Sequence, residues 1–505
     1  MTQENAAVFI EPKRPIFRLF KYMKPYKGRF LFASGSSVAN KILDLYPPIL
    51  VGWVIDTVNR KTPAFIENFV TVEQPVDAAL FLSFLVVLIF GLESLFQWMF
   101  QFGFMTLSQK VQHDLRVDTY EHLQRREIAF FEDHRMGETM AMLNDDVNQL
   151  ERFLNTGFNE LLQLLTLFCF AGYILFSTSW ELALLGMWPI LLIVWGSLLY
   201  QKVIAPRYRR VREAVGRLSS RLENNLAGIL VIKAFTAEKF ERQRVEAESA
   251  EYRDANYRAI KLAAVYVPLI RMGVALGFAC VLYYGAQWCL EDNGKITVGG
   301  LVLFSMMIQR LLWPLTRLGA TLDEYERAKA SARRTFGVLD TPAAIQDPAT
   351  PVEISTLKGE IAFNDVKFRY ARGVDVLKGL NFTIKPGETV GFAGTTGAGK
   401  STMVKLLLRL YDVSGGSLTI DGVDVRQMRM RDLRRHIALV SQDVYLFHGT
   451  IGENIAYGAA DASPERIAEA ARLAAADKFI ARLPGGYDFR VGPRGSQLSG
   501  GQRQR

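Results

Sequence analysis

The stretch Glu388-Thr-Val-Gly-Phe-Ala393 runs directly into Gly394-Thr395-Thr396-Gly397-Ala398-Gly399-Lys400-Ser401-Thr402, and an apolar helical run, Met403-Val-Lys-Leu-Leu-Leu-Arg-Leu410, follows it. The order is strand, glycine-rich loop, helix. The loop fits G-x-x-x-x-G-K-[ST], a pattern that carries meaning only between those two flanks. Glycines let backbone N–H groups converge on phosphate oxygens without side chains in the way. The following helix points its positive end at the same anion. Lys400 supplies a mobile cation for the β and γ phosphates, and Ser401 offers a hydroxyl to Mg²⁺. The stretch predicts an α/β P-loop nucleotide-binding domain with residues 394–402 as the phosphate cradle. A phosphate loop alone does not separate an ATPase from a GTPase or a kinase.

Upstream, Gly359-Glu-Ile-Ala-Phe-Asn-Asp-Val-Lys-Phe-Arg-Tyr370 alternates like a partly buried strand. Before it, Asp340-Thr-Pro342 and Asp347-Pro-Ala-Thr-Pro351 mark a linker. The character of the chain then changes. Of 505 residues, 50% are hydrophobic, and every apolar run long enough to cross a bilayer lies before residue 340. A spanning helix needs about 20 mainly apolar residues. Six stretches qualify: 30–55, 78–105, 157–178, 181–203, 262–288 and 297–318. A wholly soluble protein and a disordered one are both excluded. The predicted division is a cytoplasmic N-terminus with an interfacial helix (1–29), a six-helix membrane domain (30–320), a linker (321–355) and a partial nucleotide-binding domain (356–505).

The net charge of +9 invites a nucleic-acid reading, but 38 of the 60 Lys and Arg lie in residues 1–340, mostly between the apolar runs. Residues 1–29 carry seven of them, 106–152 six and 202–261 fourteen, against two in 56–76, none in 179–180 and one in 289–296. This is the asymmetry of membrane topology, with both termini and the two long loops cytoplasmic, and no nucleic-acid partner is expected. The long loops are rich in Glu, Arg, Leu and Ala with few breakers, so the spans are expected to continue as cytoplasmic stalks. Ile16-Phe-Arg-Leu-Phe-Lys-Tyr-Met23 mixes aromatic and basic residues and is expected to lie at the membrane interface. Cys169, Cys280 and Cys289 have no metal or disulfide spacing.

Charges inside spans face a cavity or a partner. Lys41 and Asp44 sit at i, i+3 and pair on one helix face. Glu93, Arg271 and Arg310 have no such local partner, and both arginines fall in the inner half of the membrane. They define a candidate substrate cavity with Trp313, taking an amphiphile with a phosphate or carboxylate whose tail lies among Phe96, Trp98, Phe100 and Trp313. The competing expectation is that the arginines pack against Glu93 or reach out to the interface.

Taken together, these features resemble the ATP-binding cassette family, specifically the lipid and multidrug exporters with six spans fused to one cassette. The sharpest marker is Leu498-Ser499-Gly500-Gly501-Gln502, which matches the family signature. The resemblance implies ATP and Mg²⁺ as ligands and ATP-driven export or flipping of an amphiphile, with membrane lipid around it. It implies a second half-transporter, identical or not, across whose interface Ser499, Gly500, Gly501 and Gln502 complete the site on the partner's phosphate loop. It also implies adenine stacking on Tyr370, for which packing within the sheet is the alternative, and contact of Gln442 with Mg²⁺ beside Ser401. Tyr445, Phe447 and Thr450-Ile-Gly-Glu-Asn454 resemble the surface that receives the stalks. Phe130-Phe-Glu132 and Gly228-Ile-Leu-Val-Ile-Lys-Ala-Phe235 resemble the stalk turns that dock there. Val491-Gly-Pro-Arg-Gly495 resembles a further stalk contact.

In the family, a Mg²⁺-binding aspartate, a water-activating glutamate and a switch histidine follow the signature, whereas this sequence stops at Arg505. The expectation is a partial sequence of a complete exporter, residues 1–505 alone hydrolysing ATP at no more than background. The rival is a nucleotide-binding, non-hydrolysing regulatory or channel-like subunit.

Overall fold

The computed structural model describes residues 10–59, 75–291, 295–354, 356–370, 373–459 and 461–505. Two compact units divide it near residue 345. Arg60 and Lys61, counted for orientation, lie outside the described residues.

Six helical runs in the first unit are long and apolar enough to cross a membrane. The first is two helices, α2 (Lys27–Asp44) and α3 (Tyr46–Val58), with a break where Pro47 and Pro48 withdraw two backbone donors. The second, α4 (Pro75–Gln124), is continuous over 50 residues. At 1.5 Å per residue it is about 75 Å long, against about 30 Å of hydrocarbon, so it must project as a stalk. The third ends in α5 (Phe158–Thr178), preceded by two π-helical turns at Met142–Asp146 and Phe153–Gly157. Next come α6 (Trp180–Met187), α7 (Pro189–Ala227) and α8 (Glu238–Leu290). The low-breaker composition therefore yields long helices on both sides of the turn at residues 228–237. The sixth run is α9 (Val298–Leu312) and α10 (Leu318–Asp340). Residues 321–340 are thus helix, although the sequence reading places the start of the linker there; the first proline after residue 320 is Pro342.

Lipid tails are as apolar as leucine, so packing and polar ties hold these helices together rather than water exclusion. Leu175, Leu182, Val281, Phe304, Ile308 and Leu312 interlock in one fully enclosed cluster. Small residues let backbones close in. A Cβ on Gly299 would sit 2.0 Å from the Gly52 carbonyl oxygen, so α3 and α9 cross there only as glycines. Asp56 caps the same point, accepting from the Thr297 hydroxyl (2.7 Å) and the Gly299 amide (2.8 Å).

The second unit holds a four-stranded antiparallel sheet, ordered β2 (Asp375–Ile384), β1 (Ile361–Arg369), β3 (Gly415–Ile420) and β4 (Val423–Asp424). Phe363 lies opposite Phe382 on one side and Leu418 on the other, and the two phenylalanine rings stack at 4.5 Å. The strand expected at Glu388–Ala393 does not join this sheet, and neither do residues 437–441. A strand exists through its ladder, and neither segment pairs with a strand among the described residues. Their apolar side chains stay open: Phe392 is 43% exposed and Val440 83%.

Candidate nucleotide-binding site and membrane cavity

Although the segment before it forms no strand, the phosphate loop keeps the form its sequence specifies. Gly397 and Gly399 both adopt φ near +88°, the left-handed region in which a side chain is strained. At Gly399 a Cβ would also meet Leu377 Cδ2 at 2.7 Å, so β2 passes against the loop only because nothing is there. Gly399 caps helix α11 (Lys400–Leu407), whose free amides face the loop. The Lys400 ammonium donates to the carbonyl oxygens of Gly394 (2.7 Å) and Thr395 (2.8 Å), holding a cation at the mouth of the loop. Ser401 is exposed beside it, while Thr402 is buried. The donor set fits a triphosphate: the open N-terminus of a helix, one cation, and one exposed hydroxyl that suits Mg²⁺.

Tyr370, at the end of β1, is tied to the same helix through a 3.0 Å hydrogen bond between its hydroxyl and that of Thr402. Its ring meets Phe368 and Tyr411 edge-on at 4.8 and 5.3 Å, with the Lys405 ammonium 5.6 Å from its centroid. The structure thus brings Tyr370 to the phosphate loop. No local pattern in the sequence encodes the Tyr370–Thr402 tie, because its partners are 32 positions apart.

Gln442 is exposed, and no hydrogen bond joins it to the phosphate loop among the described residues. Ser499 caps helix α13 (Gly500–Gln504). Its hydroxyl accepts from the Gln502 amide at 3.3 Å, and its amide donates to the Gln502 side chain at 2.9 Å. That reciprocal box occupies the Gln502 carboxamide and leaves Gly500 and Gly501 exposed. A second box, between Thr450 and Glu453, starts helix α12 (Ile451–Ile455). Beside it Phe447 stacks on Tyr457 at 4.3 Å, and Tyr445 and Phe447 stay exposed. In the first unit, the short helix Ile229–Ala234 likewise exposes Ile229, Leu230 and Val231, and Phe235 follows it.

Among the membrane charges, Lys41 pairs with Asp44 at 2.8 Å, as its spacing implies. Arg310 is not left to cargo or to Glu93. Its guanidinium grips the Asp44 carboxylate and carbonyl, so one acid serves two cations. Glu93 lies within electrostatic reach of the trio, and its carbonyl accepts from Asn40 at 2.9 Å. Arg271 is exposed and lies over the Trp313 ring, 5.3 Å from its centroid. Phe100 is buried against Ala33 and Phe104, which removes it from the expected tail site. Trp98 is exposed and stacks on Phe102. Sequence reasoning missed an open cavity of about 390 Å³ lined by Lys41, Glu160, Gln163, Trp313, Arg317 and Thr321.

Six long apolar helices followed by a phosphate loop and a signature helix define an ATP-coupled membrane transporter. The ABC transporter transmembrane region matches residues 30–315 and the ABC transporter domain matches 377–505, and the chain belongs to this family. Its nearer type is the half-transporter exporter. An uncharacterised ABC transporter ATP-binding protein of Bacillus subtilis, YwjA, is 31% identical over 97% of this chain and 82% of its own length. An ATP-dependent lipid A-core flippase of Syntrophus aciditrophicus is 30% identical over 97% of this chain and 79% of its own. A solved bacterial Atm1-family ABC exporter with ATP bound superposes with a TM-score of 0.76 at 26% identity, covering 94% of this chain and 82% of that one.

Proposed function

We propose that this chain is one half of a dimeric exporter that hydrolyses ATP, with Mg²⁺, to move an amphiphile across the plasma (inner) membrane, both termini being cytoplasmic. What carries the reading is one polypeptide that joins a formed phosphate loop around Lys400 to six spans. Ser401 and Gln442 hold the metal, Tyr370 packs against adenine, and Ser499 with the glycines after it closes the site on a second copy or a related chain. The exposed apolar residues of 229–235 and the Tyr445–Phe447 face support a reading in which stalk turns and cassettes meet in the assembled transporter. ATP closes the cassettes, the stalks carry the motion and hydrolysis resets it.

The cargo is an amphiphile with an anionic head. Arg271 at Trp313, and Arg317 in the adjoining cavity, support that choice, because a cation at membrane depth is costly without an anion. Arg310 is withdrawn from this role by Asp44. The test is transport of fluorescent anionic and neutral lipids by the complete protein in proteoliposomes, with Lys400→Ala and Arg271→Ala. ATP-dependent movement that vanishes in the first variant and loses its anionic preference in the second is expected. Equal handling of both lipids by wild type and Arg271→Ala excludes the anionic cargo. Movement that persists in Lys400→Ala excludes the ATP-driven exporter.

A further inference from the structure

Helix α1 (Pro15–Tyr22) presents two unlike faces. Pro15, Leu19 and Met23, spaced by four, are buried. Arg14, Phe17, Lys21 and Lys24, spaced by three and four, are all exposed, Phe17 by 67%. Lys13, Lys27 and Arg29 extend the open side, and Leu31 and Phe32 are exposed where α2 enters its apolar run. Among the described residues the salt bridges of this segment are Arg18–Asp340 and Glu11–Arg333, so none of the six exposed cations is neutralised. The acids nearest its inner face are occupied: Asp118 accepts from the Tyr22 hydroxyl at 2.5 Å, and Asp114 from that of Tyr26. Six unpaired cations in 17 residues, with aromatic and aliphatic side chains among them, match in charge and in polarity the surface of an anionic leaflet.

The inner face is tied to the end of α10. Arg18 forks onto Asp340 (2.8 and 3.1 Å) and lies over the Phe336 ring at 4.9 Å. The Ile10 amide donates to the Thr341 hydroxyl at 2.8 Å. Buried Arg126 donates to the carbonyls of Val338 and Pro342, and burial pulls its pKa down. The last turn of α10 thus hangs between α1 and the foot of α4, and it is the turn that leads out of the membrane unit.

We propose that the exposed face of residues 13–29 is a binding surface for anionic phospholipid headgroups. Lipid held there steadies α1 and, through Arg18–Asp340, the last turn of α10, so that bilayer charge reaches the segment leading to the cassette. This goes beyond the cargo site, which uses other residues and another part of the fold.

The experiment is hydrogen–deuterium exchange on the complete protein in nanodiscs of phosphatidylcholine, with or without phosphatidylglycerol. Phosphatidylglycerol is expected to slow exchange at least fivefold in residues 13–29 and also in 336–342. Replacing Lys13, Arg14, Lys21, Lys24, Lys27 and Arg29 by Gln removes both effects. Arg18→Gln keeps the first and loses the second. Should the six-residue variant fold poorly, wild type alone decides: raising salt from about 0.05 to about 0.5 M must cancel the slowing, because surface attraction is screened. The proposal is overturned if exchange is the same in both bilayers, if the six-residue variant responds like wild type, if the slowing survives high salt, or if free inorganic phosphate reproduces it in neutral discs.

Discussion

Lys400 and Arg310 each donate to a backbone carbonyl, yet the routes that bring them there are opposite. Lys400 bonds the carbonyls of residues five and six positions earlier, within the loop that its own glycines bend. Arg310 bonds a residue 266 positions earlier, across two helices whose packing has to be complete before the pair exists. The loop keeps its form even where the strand leading into it has no ladder. The membrane pair has no such local insurance. Local geometry written in glycine survives the loss of its neighbours, whereas a pairing between helices is a property of the whole bundle.

The largest effect expected from this contrast is at the loop. Charge-assisted hydrogen bonds contribute about 1.5–3 kcal/mol each, so Lys400→Ala lowers MgATP affinity between about tenfold and a hundredfold. The unfolding midpoint stays close to wild type, because the loop lysine holds no other element. Titration with a fluorescent ATP analogue and a thermal melt on the same sample check both halves. Unchanged affinity breaks the assignment of the loop.

Next comes a tie between elements. Asp146, 4% exposed, accepts from Ser331 at 2.9 Å and from Arg334 through a two-pronged contact, joining the first π-helical turn to α10. The same contact raises the pKa of Arg334. Breaking a buried pair from one side costs about 3–5 kcal/mol, and half-exposed Arg334 brings this down to about 2 kcal/mol. Asp146→Ala is therefore expected to lower the midpoint by several degrees with nucleotide affinity intact. Should affinity fall as well, the two regions are not independent.

The membrane pair is smaller again. Polar contacts between spanning helices average about 0.6 kcal/mol and reach about 1.7. A double-mutant cycle of Asp44→Asn and Arg310→Gln is expected to show coupling of about 1 kcal/mol, the double variant being more stable than the sum of the singles predicts. A coupling of zero means that Arg310 is available to cargo after all.

Legibility in the sequence follows the same division. The six spans, the stalk beyond residue 105, β1 and the phosphate loop each rest on periodicity or on a motif no longer than the element itself, and each was readable. Lys41–Asp44 was readable because i, i+3 fixes the pair on one face. Arg310–Asp44, Tyr370–Thr402 and the Lys41–Arg317 cavity were not, since their partners meet only once helices or strands have packed. The strand expected at 388–393 failed for the converse reason: its pattern was right, but a ladder needs a second strand.

The smallest expected effect is a sharper probe of purely local geometry. The Asp421 carboxylate accepts from the backbone amides of Lys358 (2.6 Å), Gly359 (3.1 Å) and Glu360 (2.9 Å), clasping the residues that lead into β1 beside the β3–β4 turn. These donors favour the ionised form and hold its pKa below the usual carboxylate value, the Glu360 amide most of all. The sign follows from linkage. A depressed acid adds stability that is present above its unfolded pKa of about 3.9 and is lost as pH falls through the folded value. Asp421→Asn keeps one acceptor oxygen but cannot ionise. The complete protein and this variant should differ in midpoint by a constant, small amount from pH 8 to pH 5, and the gap should close below about pH 4. A gap that persists to the acid limit means that the clasp depends on shape alone, and that the charge at Asp421 does no more than accompany it.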